Sequence, residues 1–341
     1  MKSSVFAILA ILVLTLSACS SPKPDDDIEK SIQNGLKYLK SVWRPDKSFD
    51  DIYLEYVYPG EDLKCPIEGC RLTYRIQDAY FDLVYISREV DDYSIINSQV
   101  RWADKVLRSI LPIWEESGIY NMITSGPEDV GGVALDSSCI LGQMYNSTKI
   151  SDKIIRHIYN WTWMEQNYYG DVEAWRNVAD DSWCIRLLSI NGREKYLKNL
   201  TNAILNETYW YLGRDDITNM NKVGIIIHII YVLNDLKKYN NIDDYENDLL
   251  ALQEMLVELS EKDDIKEDLL LQANILDALS ESKYQKLDKL KAISDRLIKA
   301  QQPTGEWLAD ENNPNYGQVF TTFRAILGLS KYKHWKNEME A

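Results

Sequence analysis

The chain has 341 residues, of which 45% are hydrophobic, and it carries a formal net charge of −15. This length accommodates one large hydrophobic core or two domains. An acidic chain without a run rich in Lys and Arg repels polyanions, which excludes nucleic acid and anionic polysaccharides as expected partners. A neutral or cationic ligand is favoured.

Residues 1–18 are predicted to be a secretory signal. Lys2 precedes an apolar run over 5–16, which is too short to span a membrane. The run ends in "LSAC", which resembles the lipobox of prokaryotic lipoproteins. That resemblance implies cleavage before Cys19, acyl chains such as palmitate on that residue, and an anchor on the extracytoplasmic side of the cell membrane. Ordinary cleavage near the same point is the alternative. Residues 19–27 are predicted to form a polar tether.

Four more cysteines remain in the mature chain, and an oxidising compartment allows them to pair. Cys65 and Cys70, in "KCPIEGC", are close enough to close a small disulfide loop, with free thiols and a metal site as alternatives. A metal is not expected, because no second ligand pair accompanies them and the histidines are isolated along the sequence. Cys139 and Cys184 are predicted either as buried thiols or as a bridge between neighbouring helices. No cofactor is expected.

The rest of the sequence predicts an all-α protein built from six consecutive helical pairs. Apolar residues recur at helical spacing, and the alternation typical of strands is rare. One helix of each pair is amphipathic, whereas the second is apolar on nearly every side and must therefore be buried. The predicted pairs are 28–43 with 75–88, 98–115 with 134–146, 151–167 with 179–190, 193–211 with 217–236, 243–260 with 265–280, and 284–302 with 316–331.

An outer and an inner ring of helices satisfy both kinds of pattern. The second helices begin at intervals of roughly 40–58 residues, a period that indicates a repeat architecture. Six such hairpins predict an (α/α)6 toroid over residues 28–335, which removes the exposed ends of an open solenoid. A short polar tail at 336–341 follows it.

The last repeat, "LIKAQQPTGEWLADENNPNYGQVFTTFRAILGLSKY", resembles the repeat of the terpenoid cyclase and prenyltransferase α/α-toroid superfamily. The residues that carry the resemblance are Gln301 or Gln302, Gly305 and Trp307. Gly305 permits a tight turn, and Trp307 can pack over the end of the preceding helix. The acidic motif of class II terpene cyclases and the zinc ligands of prenyltransferases find no match, so neither activity carries over. His228, in "GIIIHIIY", is expected to be a core histidine.

The stretches "ALDSSCILG" (134–142) and "ADDSWCIRL" (179–187) share one register at the starts of two predicted inner helices. The structural interpretation is that their Asp and Ser residues cap helices. The alternative is catalysis, since an Asp pair followed shortly by Trp resembles the pair in some bacterial endo-mannanases of this fold. Glycoside hydrolysis needs one protonated and one ionised carboxyl group. In that interpretation Asp181 is the acid and Asp136 the base, assisted by Asp180 or Asp78, and the reaction inverts configuration.

Aromatic residues gather just before the second of these stretches. Tyr and Trp rings can stack on sugar faces and bond to their rims, although packing between helices explains the same rings equally well. Tyr209, Trp210 and Tyr211 form a smaller echo at the next outer helix. The predicted ligand-binding residues are Trp161, Trp163, Tyr168, Tyr169 and Trp175.

The sequence therefore predicts a lipid-anchored extracytoplasmic toroid whose acidic, aromatic cavity mouth suits a neutral glycan. A glycoside hydrolase and a non-catalytic binding or interaction protein are both consistent with the sequence. A lipid or polyisoprenoid ligand would require an apolar cavity lining instead.

Overall fold

The computed structural model describes residues 24–42, 86–101, 182, 185, 186, 189, 194–240, 243–308 and 318–341. These residues are mostly helical and contain no strand, which confirms an all-α chain for the described ranges. No helix within them is long and apolar enough to cross a membrane.

We label as α1 to α8 the helices of the described ranges that follow, of which α5 is a single turn, and four isolated helical residues (182, 185, 186 and 189) lie upstream of α2. Short helical stretches also occupy 86–89 and 97–101. The bounds are α1 Pro24–Val42, α2 Glu194–Leu212, α3 Asn219–Asn240, α4 Glu246–Ser260, α5 Asp263–Lys266, α6 Leu269–Glu281, α7 Leu287–Ala300 and α8 Gln318–Glu340.

Three of the predicted pairs appear as α2 with α3, α4 with α6, and α7 with α8. The first and last helices extend beyond their predicted ends. Helix α1 begins at Pro24, inside the predicted tether, because a proline in the first turn lacks only an N–H that has no helical partner anyway. Helix α8 runs to Glu340 through the predicted polar tail, since no Gly or Pro occurs after Gly328 to end it.

Two kinds of helix are distinguished by their burial. The outer kind buries one stripe, as in α7, whose buried residues Leu290, Ile293, Ser294 and Leu297 follow helical spacing. The inner kind is buried on most sides, as in α3, α6 and α8. This division is the one that the apolar patterns predict.

Contacts between the helices give their directions. Helices α6 and α8 are parallel, because Asn274 contacts Arg324, and Glu281 at the end of α6 contacts Lys331, which lies further along α8. Helix α7 is antiparallel to α8, since the backbone oxygen of Tyr284, in the connection just before α7, accepts a hydrogen bond of 2.8 Å from Trp335 Nε1 near the end of α8. Inner helices are thus parallel to one another and antiparallel to the outer ones.

The layers therefore have two ends, which we name by their residues. The near end holds the connections at 243–245 and 282–286 and the last turn of α8, and there Lys283 bonds to Glu338 at 2.6 Å. The far end holds the connections at 213–218, 261–268 and 301–308, and there Asn219 bonds to Asp264 at 3.1 Å.

The first helix of the chain packs against the last two. Helix α1 runs antiparallel to α8, because Glu29 bonds to Lys333 at 3.0 Å and a Cβ at Gly35 would lie 2.9 Å from Ile326 Cδ1. Gln301, directly after α7, donates from Nε2 to the Ser31 backbone oxygen at 2.8 Å. Residues 270 and 304 positions apart are thereby in contact.

The Gln-Gly-Trp residues predicted as the repeat signature form this contact. Gly305 has φ +105°, and a Cβ there would overlap the Asn34 backbone oxygen, so the position requires glycine. Trp307 is fully buried and donates from Nε1 to the Leu297 backbone oxygen of α7 at 2.7 Å. The turn and the packing expected of Gly305 and Trp307 are both observed, and Gln301 rather than Gln302 makes the bridge to α1.

Candidate functional site

The residues that the sequence singles out for catalysis, binding, anchoring and disulfides lie outside the described residues, and their roles stay predictions. They are Asp78, Asp136, Asp180, Asp181, Trp161, Trp163, Tyr168, Tyr169, Trp175, Cys19, Cys65, Cys70, Cys139 and Cys184.

A different set of polar residues comes together between the inner helices. Each inner segment carries one charged residue within an apolar run, namely Arg186, Asp235, Asp277 and Arg324. Asp235 is only 6% exposed and Asp277 only 1%. A buried charge is costly unless an opposite charge accompanies it. Both acids meet that requirement by pairing with an arginine from the neighbouring inner segment.

Asp277, on α6, lies at the centre of one ion-pair group. It accepts from Arg324 Nη2 at 2.9 Å and from Lys331 Nζ at 2.7 Å, both on α8. Arg324 also donates from Nε to Asn274 Oδ1 at 2.6 Å, and Lys331 lies 3.2 Å from Glu281. Burial alone would raise the pKa of Asp277, but the positive charges of Lys331 and Arg324 hold it below the usual range.

Asp235, on α3, forms the second pair. Arg186 Nε donates to Asp235 Oδ2 at 2.5 Å, and the side chains of both residues are mostly buried. Ser189, one turn beyond Arg186, donates to the Asp235 backbone oxygen at 3.3 Å and bonds to Asn240. The segment around Arg186 and Ser189 is therefore parallel to α3.

Tyr231 connects the two pairs. The Arg186 guanidinium carbon lies 5.2 Å from the Tyr231 ring centroid, and Lys331 Nζ lies 5.9 Å from it. The Tyr231 hydroxyl also hydrogen-bonds with Asp277. Burial and the neighbouring carboxylate raise the pKa of Tyr231, so its hydroxyl stays protonated and donates to Asp277.

His228 lies one turn before Tyr231 on α3. Burial, with the nearby charges of Arg186 and Arg324, lowers the pKa of His228 to about 4. The imidazole is therefore neutral at neutral pH, with one nitrogen that donates and one that accepts. We call the following residues the inner polar cluster: Arg186, His228, Tyr231, Asp235, Asn274, Asp277, Glu281, Arg324 and Lys331.

One stripe of the buried helix α3 is accessible. Gly224, His228, Tyr231 and Asn234 are part-exposed at spacings of four, three and three residues, whereas most of their neighbours from 223 to 236 are buried. A Cβ added at Gly224 would have no atom of the described residues within 4 Å. Asn274 on α6 and Arg324 on α8 are also part-exposed on helices that are otherwise mostly buried. The inner helices thus border an accessible space.

The chemistry of this space is polar and electrically balanced. The cluster has three cations, Arg186, Arg324 and Lys331, and three acids that pair with them. Its uncharged members supply imidazole, phenol and amide groups, which exchange hydrogen bonds with hydroxyl groups. Within the described ranges, no group of three or more His, Cys, Asp or Glu is placed to hold a metal ion.

Two exposed aromatic residues, Tyr209 and Trp210, lie in the last turn of α2, at the far end, and we call them the aromatic rim. Trp210 is 44% exposed, and the Arg214 guanidinium carbon lies 4.7 Å from its ring centroid. Tyr209, 38% exposed, donates from its hydroxyl to Asp248 Oδ1 at 2.7 Å. These are two of the residues that the sequence marked as a smaller aromatic group.

Sequence reasoning missed the inner polar cluster apart from His228, although a signal for it was present. A single charge within a helix that is otherwise apolar must find a partner inside the protein. The strings "CIRLL", "VLNDL", "ILDAL" and "FRAIL" each contain such a charge, with the arginines on the first and last and the aspartates between them. His228 was expected to be a core residue, and most of its surface is buried as expected, while the remainder belongs to the part-exposed stripe of α3.

Comparisons of the chain with protein-family models, with curated proteins and with solved structures find no match.

Proposed function

We propose that this protein is a lipid-anchored, extracytoplasmic (α/α)6 toroid that binds a neutral glycan in the space bordered by its inner helices. The observation that carries the proposal is the part-exposed polar stripe on α3, where a Cβ at Gly224 would meet no described atom within 4 Å although most of the helix is buried. A helix buried on every side needs no such stripe. An accessible polar wall inside a helical protein is typical of a ligand site.

The contacts of α1 support the toroid. An open solenoid leaves its first and last repeats apart, whereas here α1 packs on α7 and α8 through Gln301 and Lys333. The parallel inner helices and the antiparallel outer ones are the arrangement that consecutive hairpins adopt in a ring. The ring would extend over residues 28–335, together with the first turn of α1, which begins at Pro24.

The composition of the wall favours a sugar over a lipid. A lipid or polyisoprenoid ligand requires an apolar lining, but the part-exposed residues include His228, Tyr231 and Asn274, whose side chains carry polar groups. Because the charges of the cluster are paired, a neutral ligand leaves those pairs intact. The exposed Trp210 ring at the far end adds a flat surface of the kind that stacks on sugars.

Binding is favoured over hydrolysis by the ionisation of the cluster. A glycoside hydrolase needs a carboxyl group that stays protonated. Asp277 shifts the other way, since its cations lower its pKa. A hydrolase would therefore depend on carboxyl groups other than Asp277, such as those of Asp136 and Asp181, the pair predicted from the sequence.

The experiment is a glycan array probed with a soluble chain of residues 20–341, which lacks Cys19 and keeps all of α1. Saturable binding to one class of neutral glycan supports the proposal, whereas absence of binding to every neutral glycan contradicts it. If the wild type hydrolyses the bound glycan, and Asp136→Asn or Asp181→Asn lowers this turnover by roughly a hundredfold at unchanged melting temperature, the protein is a glycoside hydrolase and not only a binding protein.

A further inference from the structure

The start of α1 fixes where an anchor at Cys19 would hold the molecule. Helix α1 begins at Pro24, and its Glu29 bonds to Lys333 two turns before the end of α8. The end of α8 in turn bonds to the connection at 282–286, through Glu338 and Lys283. The chain therefore enters the described fold at the near end.

The reach of the chain is short compared with the height of the helical layers. Five residue steps separate Cys19 from Pro24, which span at most about 18 Å when fully extended. Helix α8 has 23 residues and is about 34 Å long. A chain anchored at Cys19 is therefore long enough to let the near end touch the bilayer. With the helices perpendicular to the membrane, it is too short to let the molecule turn over and place the far end there.

The near end has surface chemistry that is compatible with lipid headgroups. Tyr239 is 48% exposed and Met339 is 40% exposed, and Lys238 Nζ lies 5.4 Å from the Tyr239 ring centroid. Rings with a polar tip and lysines with long apolar stems both suit a membrane interface. Acidic residues such as Asp243 and Glu338 lie there too, so the position follows from the tether and not from attraction between opposite charges.

We propose that the near end rests on the surface of the bilayer that holds the acyl chains, and that the far end faces away from it. This orientation depends on the lipid anchor of the proposed function. It points the aromatic rim at Trp210 and the N-terminal ends of the inner helices away from the membrane. A soluble glycan then reaches the inner helices without passing between protein and lipid.

Exposure of apolar residues does not distinguish the two ends. The far end carries the exposed residues Trp210, Met220 and Leu308, and the near end carries Tyr239 and Met339. Only the tether and the direction of α1 favour the near end. A test must therefore compare lysines at both ends of the same molecule.

Native lysines provide that comparison, so no substitution is needed. Lys238 and Lys283 are exposed at the near end, and Lys262 and Lys266 are exposed at the far end. The mature acylated protein is reconstituted on phosphatidylcholine vesicles and treated with a water-soluble amine-acylating reagent. Modification of each lysine is measured by peptide mass spectrometry, with the lipid-free chain of residues 20–341 in the same buffer as the reference.

The proposal predicts a severalfold loss of modification at Lys238 and Lys283 on vesicles, with Lys262 and Lys266 unchanged. Protection of the far-end pair, or equal modification of all four lysines, overturns the orientation while the anchor stands. A mature protein that does not sediment with the vesicles overturns the anchor, and the orientation with it. Glycan binding by the lipid-free chain is independent of each of these outcomes.

Discussion

Replacing Asp277 with asparagine removes one negative charge from the centre of the inner polar cluster and keeps the shape of the side chain. The Asp277 side chain is 2% exposed, and its partners Arg324 and Lys331 are 18% and 11% exposed. In Asp277→Asn both cations stay buried without that carboxylate. Breaking a buried ion pair from one side costs about 3–5 kcal/mol. Glu281 still lies 3.2 Å from Lys331, so we expect the lower end, about 3 kcal/mol.

The assay is urea unfolding at neutral pH, followed by circular dichroism, with the slope checked to be the same for all variants. The matched control is Asp295→Asn, which breaks an ion pair of similar length, 2.6 Å, between Lys291 and Asp295. Both partners of that pair are more than half exposed, so its loss should cost less than about 0.5 kcal/mol.

The pH dependence provides a second, independent check. Because the folded protein lowers the pKa of Asp277, this carboxylate stabilises the fold above the unfolded pKa of about 3.9. The advantage of the wild type over Asp277→Asn should then shrink as the pH falls below about 4. The buried ion-pair assignment would be refuted if Asp277→Asn loses no more unfolding free energy than Asp295→Asn does. It would also be refuted if the difference in unfolding free energy between the wild type and Asp277→Asn does not change with pH.

Three further predictions concern single residues. Gly305→Ala should reduce the unfolding free energy by about 2 kcal/mol or more and lower the melting temperature, because φ is +105° and the new Cβ would lie 2.8 Å from the Asn34 carbonyl carbon. An unchanged melting temperature would contradict the packing of α1 on this turn. The pKa of His228 is lowered to about 4 in the folded protein, below its unfolded value of about 6.5, so the protein should lose unfolding free energy as the pH falls from about 6.5 to 4. His228→Gln should remove up to roughly 3 kcal/mol of that loss. If NMR shows that the His228 ring titrates near pH 6.5, the assigned environment is wrong. Mass spectrometry of the mature protein should find an acylated N-terminal Cys19, and an unmodified terminus at another residue rules the anchor out.

Helix positions in the second half of the chain follow well from apolar periodicity. Predicted segments 193–211 and 217–236 correspond to Glu194–Leu212 and Asn219–Asn240, because burial of one stripe or of the whole helix imposes the periodic pattern. The start of α6 is later than the predicted residue 265. Asp268 is its cap, accepting a hydrogen bond from the Leu271 N–H at 3.0 Å, and the separate short helix α5 occupies the residues before it.

The partners within the inner polar cluster were not predictable in the same way. A charge such as that of Arg186 in an apolar helix requires a partner, but the sequence does not say which one. Whether Arg186 meets Asp235 or Asp277 depends on the rotation and axial shift of neighbouring helices, which their packing determines. The bridge from Gln301 to Ser31 depends on packing as well, since the two residues are far apart in the chain.

The central claim is that the part-exposed stripe of α3 lines the ligand site, and Gly224 allows the most direct test. Gly224→Ala and Gly224→Leu each improve helix propensity, by up to about 1 kcal/mol for alanine, and meet no described atom within 4 Å at Cβ. Calorimetric titration with the neutral glycan that binds best on the array compares both variants with the wild type. The account predicts that both variants are at least as stable as the wild type, that alanine retains binding and that leucine abolishes it by filling the space. Unchanged affinity in Gly224→Leu would contradict a ligand site on this stripe.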